Sequence, residues 1–355
     1  MESVIRVAAT RIAMCAVLFI VGSAGGYAKP PPLSINELNA TRTSTPLVYV
    51  RKLDDGPGFS AYLVSYKSAG LTIYAMVAVP ESEAPSRGFP VLVANHGFHP
   101  NPSRYGITAA GVDSRPGDYY RSIPALYAKQ GFLVVIPDYR GHNNSEGREF
   151  TNGFLATGYY TEDVLALLSG LRSIKNADLE NVFMWGHSLG AEVSLRALLA
   201  TDIIKGATLW SSVGGEIWDQ AYYYSRYEDL TAVDSQATPK RSFDKLRKDI
   251  GELGVPYDWT TREPLRYLAH LKTPIVIHHA IGDQGADYRW SMRLAKELYL
   301  IGHPYIFYSY SGADHFFQGT QIQEAVDRDV RYFRDLMSGT KPGATNSPIS
   351  PRQPH

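Results

Sequence analysis

Cysteine is nearly absent from this sequence of 355 residues. The one cysteine, Cys15, lies in an N-terminal segment that we expect to be removed. The mature chain then has no thiol, which excludes disulfides, a cysteine nucleophile and a cysteine-bound metal. An excess of charge of either sign is also missing, because Lys and Arg total 35 and Asp and Glu total 35. A neutral chain lacks the basic surface that nucleic acid requires, so we expect no nucleic-acid partner.

Long hydrophobic runs are missing as well. The most apolar segment, Ile12–Gly22, is too short to span a bilayer comfortably. It follows Arg6 and Arg11, and small residues come after it as far as Ala28. This layout predicts a secretory signal peptide over residues 1–28, with an uncleaved anchor as the alternative. We therefore expect a periplasmic or secreted protein that has no membrane segment after signal cleavage.

Residues 29–337 predict one α/β domain. Continuous apolar runs are typical of strands buried on both faces of a parallel sheet. Such runs start at Pro90, Phe132, Asn181, Ala207, Thr273 and Pro304. Helical patterns lie between them, such as Thr161–Ile174 with Thr161 as its cap. This alternation predicts a mostly parallel, doubly wound sheet. Before it, Phe59–Pro80 predicts two strands joined by a turn at Ser68–Gly70.

Two segments depart from the alternation. Residues 214–269 are polar and aromatic and begin just after a predicted strand, at the edge where such sheets carry their sites. We expect a small helical cap there, with Trp218, Tyr222 and Tyr223 forming a wall for the substrate. The alternative is a helical excursion with no role in binding. Residues 338–355 are rich in Pro, Gly, Ser and Thr, which predicts a disordered tail.

The stretch Gly186–Gly190, "GHSLG", stands between an apolar strand pattern and a helical pattern. Gly186 and Gly190 permit the tight backbone approach that a strand-to-helix turn needs. Such a turn raises the hydroxyl of Ser188 above the sheet edge and is the G-x-S-x-G pattern of a nucleophile elbow. We expect Ser188 to be a nucleophile and the amide of Leu189 to bind the oxyanion.

A serine hydroxyl needs a base, and in this architecture the acid and then the histidine follow later strands. His315 lies in the loop after the last predicted strand, and Asp283 lies in the turn after the strand before it. We expect His315 to be the base and Asp283 to orient it. Asp287, placed to cap the next helix, and Asp314, adjacent to His315, are the alternatives.

A second oxyanion donor is expected from the loop after the strand at Pro90. Gly97 lets this loop approach the substrate, which points to the amide of Phe98, while Asn95 and His96 fix the loop.

The remaining polar residues receive structural interpretations. His187, inside the elbow, is expected to pack there or to face the pocket rim. His278 and His279 point to opposite faces of a strand, which disfavours a metal site. Asp138 and Arg140 are expected to form an ion pair near the site.

With these motifs in this order, the chain resembles the α/β-hydrolase superfamily. It is similar to the catalytic domain of the prolyl oligopeptidase group and to dienelactone-hydrolase-like esterases. The resemblance is carried by His96–Phe98, Gly131–Gly141, Gly186–Gly190, the run ending at Asp283 and the "GADH" ending at His315. It implies Ser188 as nucleophile, His315 as base and Asp283 as orienting acid. The chain departs from the pattern at Ala280 and Ala191, where the family commonly has glycine.

The expected function is hydrolysis of carboxylic esters through an acyl-enzyme, with no cofactor. Prolyl oligopeptidases carry a large N-terminal propeller, and residues 29–89 are too few for one, which favours a small ester over a peptide. The second hypothesis is an exopeptidase on short peptides, for which Glu216 or Glu228 remain candidates to bind the terminal amine. The third is a non-catalytic binding protein, which the complete set of Ser, Asp and His disfavours.

Overall fold

The computed structural model describes residues 29–40, 45–99, 101–108, 111–112, 119–151, 153–231, 240–256 and 258–340. The predicted signal peptide lies outside these residues, as does the predicted tail beyond residue 340, so both stay predictions. No helix within the described ranges has the length and hydropathy needed to cross a bilayer.

A nine-stranded sheet forms the centre of the described part of the chain. Its strands are β1 (Val48–Lys52), β2 (Phe59–Ser68), β3 (Leu71–Pro80), β4 (Phe89–Asn95), β5 (Leu133–Pro137), β6 (Ala177–His187), β7 (Gly206–Trp210), β8 (Ile275–Ala280) and β9 (Tyr305–Tyr310). Their spatial order is β1-β2-β3-β5-β4-β6-β7-β8-β9. The pairs β1–β2, β2–β3 and β3–β5 are antiparallel, and every later pair is parallel. The sheet is therefore mostly parallel, as predicted. A separate ribbon pairs two-residue strands, Ile107–Thr108 and Gly111–Val112.

Helices cover both faces of this sheet. They are α1 (Ile35–Ala40), α2 (Tyr119–Ala128), α3 (Ala156–Gly170), α4 (Leu189–Leu198), α5 (Ile217–Thr231), α6 (Lys240–Gly251), α7 (Tyr288–Leu300) and α8 (Thr320–Met337). Short 3₁₀ helices span Pro102–Arg104, Arg148–Phe150, Leu171–Ser173, Trp259–Thr261 and Pro264–His270. Side chains of α1, α3, α4 and α7 join the core on one face, and those of α2 and α8 join the core on the other.

Burial on both faces explains the continuous apolar runs of the sequence. All residues of β4 are buried. Val91 and Val93 belong to one core, while Leu92 and Ala94 belong to the other. Because successive side chains of a strand point to opposite faces, each position of such a strand must be apolar.

The local predictions have mixed outcomes. The hairpin is confirmed, and Ala69 and Gly70 both take positive φ (46° and 83°), as a two-residue turn between twisted strands requires. The cap at Thr161 is wrong, because α3 already begins at Ala156 and the Thr161 hydroxyl donates to Thr157 O at 2.7 Å within the helix. Residues 156–160 are buried, so tertiary packing extends the helix in the N-terminal direction.

The predicted insertion contains α5, α6 and the two last 3₁₀ helices, between β7 and β8. Ile217, Ala221 and Leu246 pack in a small cluster with Leu155 and Tyr159 from the start of α3. The insertion is thus anchored to the domain by an apolar contact of its own. Its role as a cap over the site stays a prediction.

Candidate active site

Ser188 alone connects β6 to α4. Its backbone is strained, with φ 57° and ψ −125°, a conformation that non-glycine residues rarely adopt. Three backbone hydrogen bonds hold it there: Ser188 N donates to Trp210 O at 2.9 Å, and Ser188 O accepts from Ala191 N at 3.0 Å and from Val213 N at 3.2 Å. The end of β7 therefore fixes the elbow, and the predicted strand, turn and helix are present.

The two glycines of the elbow are required by close backbone approach. A Cβ on Gly186 would lie 2.3 Å from Ser194 Oγ and 2.5 Å from Gly190 O. A Cβ on Gly190 would lie 2.1 Å from Asn95 O. Any side chain at either position would push α4 away from β4 and β6, so the glycines allow the helix to start directly above the sheet.

The structure brings the three predicted side chains together at one edge of the sheet. His315 Nε2 lies 2.9 Å from Ser188 Oγ. His315 Nδ1 lies 2.9 Å from each carboxylate oxygen of Asp283. An ionised carboxylate only accepts hydrogen bonds, so Nδ1 carries the proton and Nε2 is free to accept the proton of Ser188. Asp283 follows β8 and His315 follows β9, and the parallel order places both beside the elbow.

The two alternative carboxylates have other partners. Asp287 caps α7, where its Oδ1 accepts a hydrogen bond from Arg289 N at 3.0 Å. Asp314 Oδ1 accepts one from Phe316 N at 2.9 Å, within its own loop. The imidazole of His315 faces Asp283 instead, which agrees with the choice made from the strand pattern.

Asp283 is buried and receives several donors. Gly285 N and Ala286 N donate to its Oδ1 at 2.7 and 2.9 Å, and His279 Nε2 lies 3.2 Å from its Oδ2. Burial raises the pKa of Asp283, but the hydrogen bonds from His279 and His315 outweigh burial and hold this pKa well below its ordinary value. The carboxylate is therefore charged at any working pH, and it favours a positive charge on His315 during reaction.

His279 is the contact that sequence reasoning missed. Its Nδ1 lies 2.7 Å from Ser291 Oγ on α7, which fixes the ring, while Nε2 lies 3.2 Å from both Asp283 Oδ2 and Ala286 O. The available signal was the spacing of four residues between the acid and a histidine that is the penultimate residue of β8. His278 points to the opposite face, as predicted, and its Nε2 lies 2.9 Å from Asp329 Oδ1. In the described ranges, no group of three or more His, Cys, Asp or Glu side chains is arranged to hold a metal.

The loop after β4 passes directly over the elbow. A Cβ on Gly97 would lie 3.0 Å from Ser188 Cβ and 2.3 Å from the Tyr120 hydroxyl. The amide of Phe98 follows in this loop, and Leu189 N lies at the start of α4, where the helix dipole is positive. The part of these two amides in oxyanion binding stays a prediction that this proximity supports.

Asn95 and His96 hold the loop, as expected. Asn95 Nδ2 donates to Ser194 Oγ at 2.8 Å, and His96 Nδ1 donates to Gly97 O at 2.9 Å. The Tyr139 hydroxyl donates to His96 O at 2.9 Å. The backbone that leads to Phe98 is therefore fixed by side chains from its own strand and from neighbouring elements.

The aromatic residues of α5 lie partly at the surface. Trp218 is 40% exposed and Tyr222 is 56% exposed. The Tyr223 hydroxyl donates to Gln284 O at 3.0 Å, which places α5 against the loop that follows Asp283. Contact of Trp218, Tyr222 and Tyr223 with substrate stays a prediction.

The predicted ion pair of Asp138 with Arg140 is wrong. Arg140 Nη2 lies 2.7 Å from Asp163 Oδ1 and 2.7 Å from Glu162 Oε2, both on α3. Asp138 Oδ2 instead accepts a hydrogen bond from Ile107 N at 3.0 Å, and burial raises the pKa of Asp138 to about 8. Arg140 prefers Asp163 because that carboxylate offers it several hydrogen bonds in a buried position.

Glu216, a candidate for binding a terminal amine, is paired. Arg293 Nη2 lies 2.9 Å from Glu216 Oε1, and Arg293 Nη1 lies 3.1 Å from Asp219 Oδ2. The guanidinium offsets the charge of Glu216. The side chain of Glu228, the other candidate, lies outside the described part of the chain.

Comparison with known proteins extends the resemblance found in the sequence. The sequence matches the prolyl oligopeptidase family over residues 118–340. An uncharacterized peptidase of Bacillus subtilis (strain 168), YtmA, is 26% identical over 277 residues, which cover 77% of this chain and 93% of that protein.

Solved structures share the fold. A puromycin-hydrolyzing peptidase of Mycobacterium tuberculosis superposes with a TM-score of 0.58 and 18% identity, over 84% of this chain and 40% of that one. An acetyl xylan esterase from Paenibacillus sp. R4 gives a TM-score of 0.54 and 18% identity, over 84% and 92%. The chain spans less than half of the peptidase structures but nearly all of the esterase.

These similarities confirm the α/β-hydrolase fold, and the family match extends over more than half of the chain. The chain belongs to the prolyl oligopeptidase family and is a serine hydrolase of that family.

Proposed function

We propose that the protein hydrolyses peptide bonds of short peptides through an acyl-enzyme on Ser188. The observation that carries the proposal is the contact of Ser188 Oγ with His315 Nε2 at 2.9 Å, with ionised Asp283 behind the ring. The peptide bond is favoured by the family and by the Bacillus relative, which is named a peptidase and which the chain spans almost completely. This departs from the ester favoured by the sequence patterns.

In the first step, Ser188 Oγ forms a bond to the carbonyl carbon of the substrate while its proton moves to His315 Nε2. The carbonyl oxygen becomes an oxyanion, for which we propose the amides of Leu189 and Phe98 as donors. Asp283 stays ionised and stabilises the imidazolium that forms.

In the second step, His315 Nε2 gives this proton to the leaving nitrogen, the carbon–nitrogen bond breaks and the acyl group remains on Ser188. Water then attacks the acyl carbon, its proton moves to His315 and finally back to Ser188 Oγ, and the acid is released. Because an amine leaves only after it is protonated, peptide hydrolysis depends strongly on the placement of His315.

Ester hydrolysis is the second candidate. The acetyl xylan esterase structure matches in length, over 84% of this chain and 92% of its own. The same steps cleave an ester, with an alcohol as the leaving group. A non-catalytic binding function is disfavoured by the hydrogen-bonded contact of Ser188, His315 and Asp283.

The test uses matched substrates that share one acyl group, an aminoacyl p-nitroanilide and the corresponding p-nitrophenyl ester, together with a panel of short peptides. We expect turnover of the anilide and of at least one peptide. Ester turnover alone is not diagnostic, because serine peptidases also cleave activated esters. Cleavage of esters without any anilide or peptide would replace the peptide proposal by the ester candidate.

Ser188→Ala is the control for both substrates. We expect it to keep the far-UV circular dichroism of the wild type and to lose turnover. A fluorophosphonate probe should label the wild type and not this variant. If the wild type is neither labelled nor active, the hydrolase proposal fails.

A further inference from the structure

His187, the residue before Ser188, has a hydrogen-bond partner on each ring nitrogen. Nδ1 lies 2.7 Å from the hydroxyl of Tyr120, and Nε2 lies 2.7 Å from the backbone carbonyl of His315. The side chain of His187 is fully buried. It therefore joins the nucleophile elbow to the loop that carries the base and to helix α2.

The chemistry of the partners gives each hydrogen bond a direction. A carbonyl only accepts, so Nε2 of His187 carries the proton and donates to His315 O. Nδ1 of the neutral ring must then accept, so Tyr120 donates its hydroxyl proton to it. The Tyr120 oxygen in turn lies against the backbone of Gly97, where a Cβ would come within 2.3 Å of it.

These residues form a continuous chain of contacts, from the backbone of Gly97 to the Tyr120 hydroxyl, to the His187 ring and to His315 O. We propose that Tyr120 and His187 are positioning residues that fix the loop after β4, at Gly97, relative to the backbone of His315. The inference rests on the proposed function, because it concerns the same site. This chain of contacts connects the loops after β4, β6 and β9.

The two hydrogen bonds of His187 in this chain of contacts need a neutral imidazole. Burial lowers the pKa of His187 well below its ordinary value, and the nearby His315 lowers it further. The charge of Asp283 raises the pKa of His187, and His279 lowers it, as burial does. The ring therefore stays uncharged at the pH where a serine hydrolase works, and the hydrogen bonds keep their direction.

Tyr120→Phe removes one oxygen from the middle of this chain. The oxyanion exists only in the transition state, so loss of alignment between Gly97 and His315 lowers kcat more than it changes KM. We expect kcat to fall about 10- to 100-fold, while KM changes by less than about twofold. The affinity for phenylboronic acid, which forms a tetrahedral adduct on serine, should fall together with kcat.

Tyr127→Phe is the matched control. Tyr127 lies on the same helix α2, is buried, and donates its hydroxyl to Asp329 at 2.8 Å, away from this chain. Both variants lose one buried hydroxyl, so both lose stability, but only Tyr120→Phe should lose kcat and boronate affinity. Equal kcat in the two variants, after correction for the folded fraction, would overturn the proposal.

A second measurement is independent of turnover. Histidine ¹⁵N NMR spectra of the full chain should show His187 neutral, with its proton on Nε2, from about pH 5 to about pH 8. In Tyr120→Phe, the Nδ1 resonance of His187 should shift. A proton on Nδ1, or titration in this range, would overturn the inference. If the wild type hydrolyses nothing, the proposed function fails. The NMR spectra still decide whether His187 makes the hydrogen bonds to Tyr120 and His315 O.

Discussion

Replacement of Asp283 by asparagine is the sharpest test of the site. Asparagine keeps the size of the side chain and can still accept from Gly285 N through its oxygen. It loses the negative charge and presents one NH₂ group. When that group faces His315 Nδ1, the ring must accept there and carry its proton on Nε2. Nε2 then faces Ser188 Oγ with a proton of its own and cannot act as a base.

The magnitude follows from the geometry. The carboxylate lies 2.9 Å from His315 Nδ1, which places the two charge centres roughly 4 Å apart. At an effective dielectric constant of about 20, the carboxylate stabilises the imidazolium by about 4 kcal/mol. Since about 1.36 kcal/mol is a tenfold change in rate, loss of the charge lowers kcat about 10³-fold, before any cost of the wrong tautomer.

The assay compares kcat for Asp283→Asn, Asp287→Asn and Asp314→Asn on the substrate that the wild type turns over best. The two control variants change Asp287 and Asp314, which lie on the same two loops as Asp283 and His315. The carboxylates of these two residues have partners other than His315. We expect both to stay within about threefold of the wild type, since each loses only a local cap or turn contact. A loss of less than tenfold in Asp283→Asn, or an equal loss in Asp314→Asn, would refute the assignment of the acid.

Two further predictions concern His279, which contacts Asp283, and Glu263, a buried carboxyl of the insertion that accepts a hydrogen bond from Ile217 N. His279→Leu removes a donor from Asp283 and should lower kcat about tenfold, because the carboxylate can then move. His279→Gln keeps an N–H donor and should recover most of the lost kcat. Steady-state kinetics of the two variants check both expectations. Burial raises the pKa of Glu263 to about 7, so the fold favours its neutral form and the wild type should lose stability as pH rises through 7. Glu263→Gln should abolish that loss, which is about 3 kcal/mol at most, in urea unfolding measured at low and high pH. An unchanged pH dependence would contradict the buried, neutral Glu263.

The positions of the triad could be predicted because a simple rule fixes them. Parallel strands end at the same edge of a sheet, so Asp283 and His315 come together when each directly follows its strand. The glycines around Ser188 mark the turn in the same way. These signals are local in sequence, and the sheet converts them into one place in space.

The hydrogen bonds behind the triad could not be predicted in this way, because their partners come from helix packing. The hydroxyl of Tyr120 reaches His187 because α2 packs on the face of the sheet where His187 lies. The partner of Arg140 depends on the start of α3. A helix that begins at Thr161 puts Asp163 in its first turn, but the helix begins at Ala156 and Asp163 is fully buried in its interior. No periodicity in the sequence encodes that choice.

The supports of His315 act on two different parts of the residue, and this has a measurable consequence. His187 holds its backbone carbonyl, while Asp283 holds its ring and is itself contacted by His279. Effects that reach a base through separate atoms should add, whereas effects that pass through one carboxylate should not. In the double variant Tyr120→Phe/His279→Leu, the fold-decrease in kcat should therefore equal the product of the fold-decreases in the two single variants. Asp283→Asn/His279→Leu should lose little more than Asp283→Asn alone. Additive losses in the second pair would mean that His279 acts on catalysis by a route that does not include Asp283.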